Sequence, residues 1–394
     1  MMKRLSIATT VIAAVAITFA LRPLSGSCEQ PTSVIDVKSF GAAGDGEKDD
    51  TEAFAKAIAA SAQKGLQVYV PPGKYRISKG LALDKQTLKG ADICSWGADD
   101  VSMPTIISSV NDAPTFRLTK GACIHGLNIV YDWKGAEPSP TPPIIEISGI
   151  GCRISEVRIQ NAWDAIIADG KSNVGRTCVE RCFIVDCHHI GVRITGTWDV
   201  SWISKVEVWS PASKSFPTIG IGFQFGKNDV LLVSDCFVYR ANVGYQLVDE
   251  IPGCSVKGGT WGTFSNCVSD FCSTGFEIKG THTVSIAGGS HWSHFGGLIV
   301  RSGNSQVRIS AAEIAANAAP ALTVEGGDLV TLSSCQIRRV QAGRDFPAVR
   351  ITNGKSCVIT GCVVVSSTKA FDIEPSLKDV IVSNNVIREN AETE

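Results

Sequence analysis

The sequence predicts an all-β protein built as a single-stranded parallel β-helix, in which one chain winds into stacked coils of short strands. Three observations predict this fold. An eight-residue phrase with alternating apolar positions recurs along most of the chain, and a second, four-residue phrase separates its copies. The chain also has 38 glycines and 16 prolines, which supply many turns. Because apolar residues make up 44% of the 394 residues and charged residues only 19%, a disordered chain and a coiled coil are excluded.

The eight-residue phrase has apolar residues at its third and eighth places and an apolar or small residue at its sixth. Alternation with a period of two is typical of a strand. Eleven copies start between residues 122 and 380, about 26 residues apart on average. They are ACIHGLNI, CRISEVRI, TCVERCFI, SWISKVEV, LLVSDCFV, CSVKGGTW, VSIAGGSH, VRISAAEI, VTLSSCQI, CVITGCVV and VIVSNNVI, which start at Ala122, Cys152, Thr177, Ser201, Leu231, Cys254, Val284, Val307, Val330, Cys357 and Val380. We therefore expect about 11 or more coils, with regular coils over residues 122–390.

The four-residue phrase reads small, apolar, polar, apolar, as in AIIA at Ala165, GVRI at Gly191 and GFEI at Gly275. After every copy but the first, the next eight-residue phrase begins 9 or 10 residues later. One coil cannot bury its apolar face alone, so this steady spacing predicts that neighbouring coils share one continuous core. A leucine-rich repeat would show a leucine ladder, and a propeller blade would need about 40 residues and four strands.

An amphipathic α-helix is predicted to cap the N-terminal end of the β-helix, where unpaired strand edges would otherwise be exposed. Asp50 or Thr51 can N-cap this helix, which runs to about Lys64 and ends at Gly65. One face of the helix is expected to pack on the first coil; it consists of Phe54, Ala57, Ile58 and Ser61.

Residues 1–27 have the pattern of a signal peptide. Lys3 and Arg4 precede an uncharged stretch from Leu5 to Leu21, and small residues follow Pro23. The stretch is short of the ~20 residues that span a bilayer, which disfavours an uncleaved anchor. We therefore expect residues 28–394 to form a single β-helix domain that is secreted or periplasmic and leaves the membrane after signal cleavage.

The charge balance and the cysteines limit the partners and cofactors. Lys plus Arg number 37 and Asp plus Glu 38, so no basic surface for nucleic acid is expected. Among the 14 cysteines, Cys182, Cys236, Cys335 and Cys362 share the sixth place of the phrase and are expected to form a reduced ladder inside the core. A disulfide between Cys335 and Cys362 is the alternative. No metal is predicted, although Cys178, Cys182 and Cys187 lie close in sequence.

The segment Val34 to Ser78 resembles the opening of the rhamnogalacturonase and epimerase-like proteins of the pectate lyase superfamily. The matching pieces are FGAAGDG from Phe40, DDT from Asp49, the predicted helix, and VYVPPGKYRI from Val68. The resemblance implies a right-handed parallel β-helix that acts on acidic or neutral polysaccharide by hydrolysis or β-elimination. The superfamily also includes phage tailspikes and members without activity. The motifs of its polygalacturonase branch do not occur intact here, which argues against that mechanism.

Candidate catalytic residues lie in the turns that follow the eight-residue phrase, because stacked coils would bring these turns together on one side. Asp45, Asp49 and Asp50 are instead expected to be structural, in a glycine-rich turn and a helix cap. Carboxylates and histidines beside tryptophan suit a carbohydrate site. The predicted catalytic residues are Asp164, Asp186, His189 and Arg240, with the two aspartates as an acid pair. The substrate-binding residues predicted in the same turns are Trp133, Trp163, His188 and His294.

A second ladder is expected on the outward face of the strands formed by the four-residue phrase. It includes Arg193, Glu277 and Lys279, and these residues are predicted to bind a uronate chain. If the reaction is β-elimination, Arg193, Lys279 or His189 can serve as the base, and calcium is then a candidate cofactor. Three functions remain open at this point: an exported polysaccharide lyase or glycoside hydrolase, a catalytically silent carbohydrate-binding surface protein, and a phage-type tailspike depolymerase. The oligomeric state is not predicted.

Overall fold

The computed structural model describes residues 34–91, 102–170, 173–211, 219–340, 346–366 and 369–389. These residues form a right-handed parallel β-helix of three sheets with one N-terminal α-helix. The predicted fold is therefore confirmed. The predicted signal peptide lies outside the described residues.

Sheet 1 contains the first half of each eight-residue phrase, and within the described residues it has 14 parallel strands. They are Val34–Asp36, Gln67–Tyr69, Thr87–Lys89, Cys123–His125, Arg153–Ser155, Cys178–Glu180, Thr197–Ser204, Asn228–Ser234, Thr260–Ser265, Thr283–Ala287, Gln306–Ser310, Leu329–Ser333, Ser356–Thr360 and Asp379–Ser383.

Sheet 2 contains the second half of each phrase, and it too has 14 parallel strands in the described part of the chain. They are Asp45–Asp49, Lys74–Ile77, Thr105–Ser108, Asn128–Tyr131, Arg158–Gln160, Phe183–Val185, Glu207–Trp209, Phe237–Tyr239, Val268–Cys272, Ser290–Ser293, Glu313–Ala316, Gln336–Arg339, Val363–Ser366 and Val386–Glu389.

Sheet 3 contains the four-residue phrases, with 12 parallel strands among the residues described. They are Leu81–Leu83, Phe116–Leu118, Ile145–Ile147, Asp164–Asp169, Ile190–Thr195, Ile219–Phe225, Ala241–Val248, Thr274–Lys279, Leu298–Val300, Leu322–Glu325, Val349–Asn353 and Phe371–Ile373.

The chain turns from sheet 1 to sheet 2 through one residue with left-handed backbone conformation. Glu156, Arg181, Lys205, Asp235 and Asn266 hold this place in five successive coils, with φ between 47° and 54°. The fifth place of the eight-residue phrase is therefore a turn position, while its third and sixth places point into the core. Because the fifth place is a turn, the third and sixth places both face the core, and two apolar places of the phrase are three residues apart instead of two.

Small residues begin the four-residue phrase because sheets 2 and 3 meet there at a tight corner. A Cβ atom on Gly191 would lie 2.6 Å from the carbonyl oxygen of Gly222 and 2.8 Å from the buried side chain of Val208. Beyond this corner the interior holds a stack of rings in register. The ring centroids of Phe223 and Tyr245 are 4.9 Å apart, and those of Tyr245 and Phe276 are 5.4 Å apart. The core is continuous from coil to coil, as the repeat predicts.

The capping helix spans Thr51–Lys64, and Gly65 ends it in left-handed conformation. Its buried face includes the four residues that the sequence indicates, together with Ala53. Asp50 occupies the N-cap position, but its carboxylate does not cap the helix. It instead accepts hydrogen bonds from the backbone N–H groups of Ala43 and Gly44, at 2.7 and 3.1 Å. The three early aspartates have structural partners, since Asp45 and Asp49 also accept hydrogen bonds from nearby turn residues.

The structure corrects the position of one copy of the eight-residue phrase. The phrase from Cys254 precedes the strand Thr260–Ser265, and Gly262 is the residue that pairs with both Leu231 and Val284. The true copy is GTFSNCVS, eight residues later, after a longer turn from sheet 3. This register places Cys267 beside Cys236 in the sulfur ladder, because the N–H group of Val268 donates to the carbonyl of Cys236.

The twelve cysteines that the structure describes are free thiols. Cys335 and Cys362 lie on successive coils, where the N–H group of Val363 donates to the carbonyl of Cys335 at 2.9 Å, and the neighbouring Cys335 thiol lowers the pKa of the Cys362 thiol. The preferred ladder of reduced sulfurs is thus present within the described residues. In the same part of the chain, no helix is long and apolar enough to cross a membrane.

Candidate functional site

The turn from sheet 2 to sheet 3 carries most of the predicted site residues. Backbone pairing continues through this turn in two successive coils. The N–H groups of His188 and His189 donate to the carbonyl oxygens of Ala162 and Trp163, both at 2.9 Å. The stacking of residues 161–164 on residues 186–190 therefore brings the predicted histidines against Trp163 and Asp164. We call this group, with Trp133 from the preceding coil, the His189 site.

Asp164 and His189 form the central pair of the His189 site. Oδ1 of Asp164 lies 2.8 Å from Nδ1 of His189 and also accepts the backbone N–H of Ile190 at 3.1 Å. The aspartate side chain is 16% exposed, whereas the histidine side chain is 45% exposed. A carboxylate that accepts from Nδ1–H leaves Nε2 of the ring as the basic atom. The pair therefore presents an oriented imidazole to solvent.

Two tryptophans border the two histidines. The ring of Trp163 lies 5.6 Å from the ring of His189, tilted by 30°. The ring of Trp133 lies 6.1 Å from that of His188 in an edge-to-face contact, and its Nε1 donates to the carbonyl of Asn161 at 2.9 Å. Both indoles are half-buried. These contacts hold each ring in place, as a sugar-binding platform requires.

A cavity of about 430 Å³ lies beside Trp133, on the outer surface of sheet 2. Its polar lining includes Lys74, Lys134 and Asp132. The backbone N–H of Lys134 and the guanidinium of Arg76, which is 3.0 Å from the carboxylate, lower the pKa of Asp132. The Asp132 carboxylate is therefore already paired within the protein. Lys74 and Lys134 give this end of the His189 site its positive charge.

Asp186 and Arg240 are placed differently from the prediction, since both are buried and left-handed, with φ of 55° and 65°. This conformation turns their side chains against the neighbouring coils instead of outward. The hydroxyl of Ser210 donates to Asp186 at 3.0 Å. The guanidinium of Arg240 lies over the rings of Tyr239 and Phe271, 6.0 and 5.6 Å from their centroids. The structure therefore pairs Asp164 with His189 and gives Asp186 and Arg240 structural contacts.

His294 belongs to a second aromatic group further along the same side. Its ring lies 4.5 Å from Phe271, 6.0 Å from Trp292 and 6.2 Å from Phe295. Partial burial lowers the pKa of His294. The sequence pattern indicates His294 but not these three aromatic partners. The sequence contains one indication of these partners, since Trp292 and Phe295 occupy outward-facing positions next to a turn.

The second predicted ladder forms on the outer face of sheet 3, and its members bond to one another. Arg193 Nε donates to Gln224 at 2.6 Å, Gln224 Nε2 donates to Gln246 at 2.7 Å, and Gln246 Nε2 donates to Glu277 at 2.8 Å. Arg301 then pairs with Glu277 at 2.5 Å. Lys279 lies at the exposed end of its strand. The ladder therefore offsets its own charges from coil to coil.

The carboxylates and sulfurs do not assemble into a metal site in the described part of the chain. No group of three or more His, Cys, Asp or Glu side chains there could hold an ion. Cys182 and Cys187 are buried in the core, while Cys178 lies on sheet 1 and is partly exposed.

Comparison with known proteins supports the fold. Residues 34–95 match the family model described as rhamnogalacturonase A/epimerase, pectate lyase-like. The pre-neck appendage protein of Bacillus phage B103 is 40% identical over 77 residues, which are 19% of this chain and 8% of the phage protein. The chain therefore spans only a small part of the length of that relative.

Two solved structures resemble the described β-helix. The A-module of the mannuronan C-5 epimerase AlgE6 of Azotobacter vinelandii has a TM-score of 0.58 and 16% identity, covering 90% of this chain and 100% of that chain. The catalytic unit of a GH87 α-1,3-glucanase of Streptomyces thermodiastaticus strain HF3-3 has a TM-score of 0.59 and 15% identity, covering 91% and 69%. At these identities the likeness is one of fold. The protein is a right-handed parallel β-helix whose N-terminal segment is similar to the rhamnogalacturonase A/epimerase, pectate lyase-like family.

Proposed function

We propose that this protein is an exported polysaccharide lyase that cleaves an acidic polysaccharide by β-elimination, with His189 as the base. The observation that carries the proposal is the Asp164–His189 pair, 2.8 Å apart, on a turn where two tryptophan rings flank the histidines. A base, an acceptor that orients it and an adjacent platform for the substrate are the parts that proton abstraction needs.

In this mechanism, Nε2 of His189 removes the proton from carbon 5 of a uronate unit, next to its carboxylate. The electron pair of that C–H bond forms the double bond between carbons 4 and 5. The bond from carbon 4 to the glycosidic oxygen then breaks, and water supplies a proton to the departing oxygen. Asp164 holds the ring and stabilises the imidazolium that forms. The products are an unsaturated uronate and a new chain end.

Elimination suits the site better than glycoside hydrolysis. Hydrolysis of either stereochemical type uses a pair of carboxyl groups on opposite sides of the scissile bond. Here the second predicted acid, Asp186, is buried and accepts from Ser210, while Asp164 is engaged by His189. Lys74 and Lys134 at the neighbouring cavity supply positive charge for uronate carboxylates. The similarity to a protein named as a mannuronan epimerase also supports an acidic polymer as the substrate.

Calcium does not fit the residues of the site. Asp132 is held by Arg76 and the backbone of Lys134, and Asp164 is held by His189 and Ile190. Asp132 and Asp164 share no hydrogen-bond partner, and they do not form the oxygen cluster that calcium prefers. The mechanism therefore assigns no step to a metal, and we expect cleavage to persist after treatment with a calcium chelator.

The function is tested by incubating the purified protein with a panel of polysaccharides that includes alginate, polygalacturonate, dextran, an α-1,3-glucan and bacterial capsular polysaccharide. We expect ultraviolet absorbance from unsaturated uronate to rise with at least one acidic polymer. New reducing ends without that absorbance would indicate hydrolysis and contradict the proposal. Binding without any product would favour the catalytically silent carbohydrate-binding protein. Cleavage of phage-receptor capsule alone would favour a tailspike depolymerase.

Export is the second part of the proposal, based on Lys3, Arg4 and the uncharged stretch to Leu21. When the full-length gene is expressed in a bacterial host, the intact mass of the protein outside the cytoplasm should lack the first ~27 residues. A control lacking the uncharged stretch should stay in the cytoplasm. Recovery of exported protein whose mass retains Met1 would contradict cleavage.

A further inference from the structure

Three tryptophans are exposed on the outer face of sheet 1, which the proposed mechanism does not use. The exposed fractions are 47% for Trp198, 39% for Trp202 and 61% for Trp261. Alternation along the strands explains the exposure, because Thr197, Ser201 and Thr260 beside them point inward and are buried. Large exposed apolar groups clustered on one face mark an interaction site more often than single ones do.

Strand register brings the three indoles onto one surface. Thr197 pairs with Asn228, and Asn228 pairs with Thr260 on the next strand. Trp198 directly follows Thr197 and Trp261 directly follows Thr260, so the two tryptophans hold equivalent positions with one strand between them. Two strand spacings are about 9.6 Å. That separation is close to the length of a disaccharide along a polymer. Trp202 lies on the same strand as Trp198, and its next neighbour across the sheet is Leu232.

Among the described strands of sheet 1, the register is irregular only beside these side chains. The pairing shifts by one residue between Thr197 and Val200, and again on the next strand between Asn228 and Leu231. A β-bulge changes the direction in which nearby side chains point, and bulges are common next to functional sites. Elsewhere on sheet 1, the described strand pairs keep a regular register.

The charges around the tryptophans are paired. Arg176 lies 2.6 Å from Asp199, and Lys227 lies 2.7 Å from Asp229. Within the described residues, each of these two cations is thus offset by a carboxylate, and the surface combines apolar rings with carboxylate oxygens that can accept hydrogen bonds from hydroxyl groups. This combination fits a neutral sugar chain, whose C–H faces are apolar and whose edges carry hydroxyls.

We propose that Trp198, Trp202 and Trp261 form a second carbohydrate-binding surface, for a neutral polysaccharide, on a different sheet from the His189 site. This surface would hold the enzyme on a neutral glycan while the His189 site acts on an acidic one. The proposal goes beyond the catalytic function and does not depend on the choice between elimination and hydrolysis.

The test is native electrophoresis through gels that contain one soluble polysaccharide each: hydroxyethylcellulose, xyloglucan, laminarin, alginate or polygalacturonate. We expect at least one neutral polymer to retard the wild type, and the double variant Trp198→Ala/Trp261→Ala to bind it at least ~10-fold more weakly. Ile387→Ala, which removes another exposed apolar side chain, should bind like the wild type. Cleavage of short acidic fragments should be unchanged in the double variant.

Three results would overturn this proposal. The first is equal retardation of the wild type and the double variant. The second is retardation by the acidic polymers alone. The third is a wild-type oligomer that the double variant does not form, which would make the surface a subunit interface. Failure of the catalytic proposal is seen separately, because His189→Gln should lose cleavage and keep its retardation in the neutral gel.

Discussion

Replacing Asp164 by Asn should lower the turnover number on a cleaved acidic polysaccharide by about 10²-fold or more. Asparagine keeps the shape of the side chain, but it removes the charge that orients Nδ1 of His189 and stabilises the imidazolium. His189→Gln should lose at least as much activity, because it removes the base itself. Both effects should appear in the turnover number more than in KM, since neither residue is a main binding platform.

Asp186→Asn is the matched control for this experiment. The carboxylate of Asp186 accepts a hydrogen bond from the hydroxyl of Ser210. The asparagine variant should therefore keep most of the activity, and its main effect should be a lower free energy of unfolding. The circular dichroism spectra of all three variants should match that of the wild type. Full activity in Asp164→Asn together with loss of activity in Asp186→Asn would contradict the role of the Asp164–His189 pair and make Asp186 the essential carboxylate. Loss of activity in both variants would favour the acid pair.

Acidification from pH 7 to pH 4 should lower the free energy of unfolding, with His291 contributing up to about 3 kcal/mol. The imidazole is fully buried, and Nδ1 lies 3.0 Å from the hydroxyl of Ser269. Burial lowers its pKa from 6.5 to about 4. Between these values the unfolded chain binds a proton that the folded protein does not, so stability falls as pH falls through this window.

The measurement is urea denaturation of the wild type and of His291→Gln at pH 7 and pH 4. Glutamine does not titrate, so the free energy of unfolding of the variant should fall less on acidification than that of the wild type, by most of the contribution of His291. Burial also lowers the pKa of His282 and His294, and these residues should contribute equally to both proteins. An identical pH dependence in the two proteins would contradict the assignment to His291.

The repeat was predictable from the sequence because two simple constraints produce it. Side chains alternate along a strand, and the sixth place of each phrase must fit inside the coil. The register failed at Cys254, where the segment CSVKGGTW matches the phrase by chance while the chain makes a longer turn before Thr260. The true copy has Phe264 and Cys267 at its third and sixth places but Ser269 at its eighth, where the phrase calls for an apolar residue and the false copy has Trp261.

The candidate site was predictable only in its location. Alignment of the turns placed Trp163 beside His188 and His189, but turn geometry decides which side chains touch. Asp186 and Arg240 are polar turn residues that should point outward, yet their left-handed backbone directs them into contacts between coils. The exposed tryptophans of sheet 1 were not recognised, because an outward place in a strand has no apolar requirement that would draw attention to it.

The most direct test of the catalytic role of His189 uses an acidic polysaccharide carrying deuterium at carbon 5 of its uronate units. Mass spectrometry should find one deuterium lost from the uronate at each cleaved bond, with cleavage by the wild type but not by His189→Gln. Products that retain the deuterium at carbon 5 would show that the bond is hydrolysed without proton abstraction, and would contradict the proposed mechanism.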